Sequence, residues 1–275
     1  MITEEIVSRL IVKVGNEGFE RTSLKPLKSL ASYELVLRGV ALLRDPAQND
    51  LTQAADLFER ALEKDSSYGL AYTYLALTKT LASEFAPVSM ENLANARQLA
   101  DKGAALSPDQ ATCRRVQSLV RTFLHEHHAA ELQLRQALEL NPFDADSIGQ
   151  MGFLQVMRGR PLDALVWLDR AVRINPMQPQ WCNFDRSLAL YMLGDYSAAA
   201  DCLDLATRPT PWIRTRLAAC LAQMGRVEEA HEQISSALEE LPSLVPLDYA
   251  LSGIPLEHLA DREHLADGVR LAVSI

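Results

Sequence analysis

Apolar side chains recur every third or fourth residue through most of the chain, the spacing that lines one face of an α-helix. The clearest stretch runs from Phe143 to Met157, breaks at Gly159, and resumes from Leu162 to Ile174. Asn141-Pro142 and Asn175-Pro176 bracket this helix–turn–helix unit and lie 34 residues apart (176 − 142). The pattern extends to both sides. It predicts helices at about Ala31–Leu43 and Leu51–Lys64, another opening with GLAYTYLALTKTL after Tyr68, and one running from an N-cap at Ser89 to Leu106. Closing prolines at 142, 176, 211 and 242 leave intervals of 34, 35 and 31 residues. The second unit is longer, 42 residues from Ser66 to Pro108, and carries an inserted loop at Glu84–Ser89.

Small residues keep step with the prolines. Ala130 and Ala137, Ala164 and Ala171, Ala199 and Ala206, and Ala230 and Ala237 stand twelve and five residues before each closing proline. Helices that cross at about 8–10 Å leave room only for a small side chain at the crossing. Gly159, Gly194 and Gly225 fall between the paired helices, where a residue of positive φ ends a helix. The two ends depart from the period. Residues 2–14 read as an amphipathic helix, and 19–30 as a polar, basic linker with Pro26. Leu244–Pro255 reads as irregular, and Leu256–Val273 as a last helix with Leu256, Leu259, His264/Leu265 and Val269 along one stripe.

The alanine, glycine and proline pattern resembles the tetratricopeptide repeat (TPR) family over residues 31–242, with units near 31–66, 67–108, 109–142, 143–176, 177–210 and 211–242. The resemblance implies an all-α fold: a right-handed α-α superhelix of about six helix–turn–helix units, preceded by an N-terminal helix and linker over 1–30 and closed by a capping segment over 243–275. ASYELVLRGVALL, FERALEKD and DREHLADGVRLAV are further similar to the C-terminal repeat module of bacterial adenylate-cyclase-like enzymes and winged-helix regulators. That likeness implies a regulatory segment whose catalytic or DNA-binding domain lies upstream.

Composition narrows the function. The net charge is −9 with both signs interspersed, which argues against a nucleic-acid surface. No uncharged run is long enough to span a membrane, and the opening residues do not form a signal peptide. The scattered Cys113, Cys182, Cys202 and Cys220 read as free thiols of a cytoplasmic protein. No nucleophile–base pair or phosphate loop is visible, so neither enzymatic activity nor a cofactor is expected. The cluster His125, His127 and His128 reads as a polar turn and not as a metal site.

In the repeat family, ligands bind the concave face lined by the first helix of each unit. The positions that resemblance points inward here include Arg115, Phe153, Met157, Trp181, Phe184, Tyr191 and Trp212, and Arg216 joins them as a candidate polar anchor for a carboxylate or phosphate. The lysine and asparagine set by which some members clamp a peptide carboxylate is absent. An apolar, aromatic groove of this kind fits a protein or peptide segment or the chain's own upstream domain; a small molecule is the alternative, and equally the aromatics could be packing between helices. The apolar face of helix 2–14 packs either on the first unit or on a second copy, so a homodimer is one expected form.

Overall fold

A computed structural model describes residues 30–44, 50–81, 89–177, 181–206, 209–251 and 253–274. The expected helix at 2–14, the linker, the helix stop at Asp45-Pro46 and most of the Glu84–Ser89 loop lie outside these residues. Among the described residues there are fourteen α-helices and no strand. They are α1 (Leu30–Arg44), α2 (Leu51–Lys64), α3 (Gly69–Leu81), α4 (Met90–Leu106), α5 (Ala111–Phe123), α6 (His127–Leu140) and α7 (Ala145–Met157). They continue as α8 (Pro161–Ile174), α9 (Trp181–Met192), α10 (Tyr196–Asp204), α11 (Pro211–Gln223), α12 (Val227–Glu240), α13 (Pro246–Leu251) and α14 (Leu259–Val273). The first twelve pack pairwise, α1 on α2 through α11 on α12, and each pair packs on the next. This is an all-α helical solenoid.

Local chemistry sets the helix starts. Asp50, Ser89, Asp144, Asp195 and Thr210 each accept the backbone N–H three residues on, filling one of the donors a helix start leaves open. Small side chains set the spacing. Ala130, Ala137, Ala164, Ala171, Ala199, Ala230 and Ala237 are fully buried, and only Ala206 keeps partial exposure. The second unit goes further: a Cβ on Gly103 would fall 2.8 Å from the Gly69 carbonyl oxygen, so two glycine backbones meet where α4 crosses α3. Gly159, Gly194 and Gly225 have φ of 67°, 81° and 74°. His125 holds the equivalent turn of the third unit at φ 59°, a conformation that costs a side chain with a Cβ about 1–2 kcal/mol.

Two elements differ from the sequence reading. The stretch after Pro242 contains the short helix α13, because Pro246 supplies a fixed φ at its first position. The last helix starts at Leu259, and Leu259 itself is 71% exposed, so the apolar stripe runs through Leu256, Leu265 and Val269 only. α14 packs mainly on α11, with further contacts to α12, α13 and α9. The segment leading into it reaches back to α6 and α7, farther than a cap on the last pair would require.

Candidate functional site

The sequence-predicted concave residues fall into three groups. Arg115 on α5 and Phe153 on α7 form the first. Phe153 stacks on Phe123 with ring centroids 6.1 Å apart. Arg115 lies 3.9 Å from the Asp146 carboxylate, which also receives Arg44 at 3.2 Å. Arg44 and Asp146 are 102 residues apart, so this pair bridges α1 and α7. Burial alone would lower the Arg115 pKa, but the carboxylates of Asp146 and Asp144 outweigh it and raise it. Asp144 shifts upward, through burial first and Asp146 second.

Trp181, Phe184, Trp212 and Arg216 form the second group, across α9 and α11. Trp181 is half-buried, and its ring edge rests where a Cβ on Gly149 would be, at 2.8 Å. Phe184 meets Trp212 edge-on at 5.6 Å, and the Arg216 guanidinium lies 4.5 Å from the Trp212 ring centre. Arg216 is only 5% exposed and donates to the Ala250 carbonyl of α13 at 3.4 Å. Burial pushes its pKa down to about 10. Asp185, beside Phe184, has a carboxyl raised well above its ordinary value by burial, with Arg216 opposing that rise.

Met157 and Tyr191 form the third group, and both are buried under the chain's own C-terminal segment. The Met157 carbonyl, at the end of α7, accepts the Glu257 N–H at 2.7 Å. The Tyr191 hydroxyl donates to the His264 carbonyl at 3.2 Å, and the two rings lie 5.0 Å apart. Tyr196 Oη and His264 Nε2 are 2.9 Å apart. Arg158 sits between Glu131 and Glu257 and pairs with both. His127, expected in a polar turn, is buried instead, with Nε2 2.7 Å from the Pro255 carbonyl oxygen.

His127, Asp185, Glu257, His264 and Gly268 thus belong to this face although the repeat positions did not point to them. Gly268 offered one signal, a glycine inside a helix. It costs about 1 kcal/mol relative to alanine, and close approach is a common reason to carry it. A Cβ there would fall 2.0 Å from Tyr191 Oη.

The other chemistry is quiet. Burial pushes the Cys113 thiol up to about 11 and the Cys220 thiol up to about 12, and it raises Cys182 and Cys202 as well. None of these is a thiolate nucleophile at neutral pH. Among the described residues, no group of three or more His, Cys, Asp or Glu is placed to hold a metal. No described helix is long and apolar enough to cross a membrane. Helix α10 has 9 residues where α6, α8 and α12 have 14. Two adjoining cavities of about 180 and 210 Å³ lie beside it, sharing Asp204, Leu217 and Gln233 in their walls.

No protein-family profile matches the sequence, and no curated protein sequence is significantly similar to it. Solved structures are similar in fold. Pseudomonas aeruginosa pilF superposes with a TM-score of 0.51 at 19% identity, over 81% of this chain and 96% of that one. A chain of the APC/C hetero-tetramer Cut9–Hcn1 superposes with a TM-score of 0.62 at 15% identity, over 90% of this chain, which spans 45% of that one. A tetratricopeptide repeat protein from Parabacteroides merdae is matched over 89% of this chain and 100% of that one, at 15% identity and a TM-score of 0.47.

Proposed function

We propose that this chain is a non-catalytic protein–protein interaction scaffold that holds a helical segment of a partner protein against its concave face. The observation that carries the reading is the helix already seated there: α14 lies on α11 and α9 with Tyr191 beneath it. A surface that receives one helix through aromatic and small side chains has the shape and polarity to receive another. The half-buried aromatics Phe153, Trp181 and Phe184 extend the same face, and Arg115 adds a cation beside it. The resemblance of 31–43 and 261–273 to repeat modules of bacterial regulators supports a cytoplasmic regulatory segment. In that reading an upstream domain is either the partner or the element controlled.

The test is capture by photo-crosslinking in cells, with a crosslinking residue placed at position 184. The expected result is cross-links to one discrete segment of one protein, lost in the Trp181→Ala, Phe153→Ala double variant. Equal recovery of every cross-linked protein by both forms would remove the concave face from consideration.

A further inference from the structure

We propose that the surface made by the end of α7, by α9 and by α11 docks an amphipathic helix with a glycine at its centre, and that α14 occupies it as an intramolecular stand-in which a partner helix displaces. This inference rests on the scaffold reading above and specifies what that scaffold recognises.

The contact is shaped around a missing side chain. Leu265, Ala266, Gly268, Val269 and Ala272 form the buried face of α14. A Cβ on Gly268 would stand 2.0 Å from Tyr191 Oη and 3.2 Å from both the Ala219 Cβ and carbonyl oxygen. Any larger residue forces the helix off Tyr191, pushes the Tyr191 hydroxyl out of its hydrogen bond to His264, or presses on the backbone of α11. The surface therefore selects for Leu-Ala-x-Gly-Val-x-x-Ala spacing, with the glycine as the discriminating position.

The outer side of α14 shows why it can leave. Leu259, Leu271 and Val273 are 71%, 50% and 46% exposed, so none of the described residues encloses the helix from outside. The helix itself has few polar ties, Tyr191 and Tyr196 to His264, and the rest sit on its lead-in: the Arg158–Glu257 pair, the Glu257 N–H on the Met157 carbonyl and His127 beside the Pro255 carbonyl. The residues between α12 and α14 hold it near the surface as a tether, which makes its rebinding intramolecular and raises its effective concentration. A partner must therefore compete. Its apparent affinity equals the intrinsic one scaled by the fraction of molecules whose α14 is undocked.

The test uses the full chain and a fluorescent peptide of residues 259–273. Gly268→Val and Leu265→Ala in the chain each loosen α14 without altering the surface it leaves. Circular dichroism checks the fold, and hydrogen exchange over 259–273 reports the loosening. The expected result is that both variants bind the peptide at least about tenfold tighter than the unaltered chain, while a peptide carrying Gly268→Val binds neither. Equal binding to all three chains, or none to variants whose exchange shows α14 released, overturns the proposal. So does loss of helical signal in both variants, which would make α14 a fixed part of the fold. An unaltered chain that is a dimer exchanging α14 between copies also overturns it. If the peptide competes as expected but no partner is ever captured, the scaffold reading alone fails. If a partner is captured equally with and without Gly268→Val, only this inference fails.

Discussion

The two halves of the concave face are closed in different ways. In the first half an ion pair, Arg44 to Asp146, ties α1 to α7, backed by Arg115. In the second half the groove is filled by α13 and α14, seated on Tyr191, Arg216 and Ala219. A salt bridge between partly exposed groups is worth about 0–1 kcal/mol, so the first closure is weak and salt-sensitive. A buried apolar helix face is worth several times more per residue, so the second closure is strong and depends on shape.

Tyr191→Ala attacks the stronger closure and should have the largest effect. Removing a buried aromatic ring costs about 3 kcal/mol or more, and hydrogen exchange should speed up over α9, α11 and α14 while α1 to α5 stay protected. An even loss of protection along the chain would erase the distinction between the halves. Next comes a matched pair. Arg158→Ala breaks a pair whose partners are each about one-eighth exposed, and should cost about 1–3 kcal/mol by chemical denaturation. Arg44→Ala breaks a pair with 60% exposure on the arginine side, and should cost under about 1 kcal/mol, vanishing in high salt. Equal costs would mean the two ion pairs do the same job.

A change of the opposite sign follows for Asp185. Its folded pKa is raised, so the folded state binds more protons, and stability falls as pH rises from the ordinary aspartate value of 3.8 through the raised one. Asp185→Asn should therefore raise the thermal midpoint at pH 7 and lose that advantage below pH 3.8. A gain that persists in acid would mean the carboxylate is not the cause. The smallest effect belongs to His125, the side chain forced to positive φ. His125→Gly should stabilise by roughly 0.5–1 kcal/mol, the relief of strain less the added chain entropy.

These contrasts also mark what could be read from the sequence. The paired helices of the last three units are legible because their determinants are local: alanines at the crossings, Gly159, Gly194 and Gly225 at the turns, and prolines at the ends. Helix α13 is too short to show a period, and the exposure of Leu259 is not written in its stripe, because one apolar period can be buried on several surfaces. The stripe Leu265–Val269 says that a face is covered, but not which helix covers it. His127 reads as part of a polar turn for the same reason, since its partner, the Pro255 carbonyl, lies 128 positions away. Repeat spacing points to the aromatic positions on α9 and α11, whereas the one mark of Gly268 in the sequence, a glycine inside a helix, says nothing of Tyr191.

The hydrogen bond from Glu257 to Met157 imposes an order of events during synthesis. The acceptor leaves the ribosome 100 residues before the donor (257 − 157). At roughly 5–20 residues per second that gap lasts about 5–20 s. Throughout it, the last turn of α7 lacks its cover, and Tyr191, once translated, lies bare to any cotranslational companion. A binding protein that meets the nascent chain then faces no competitor, so assembly during translation would be easier than assembly afterwards.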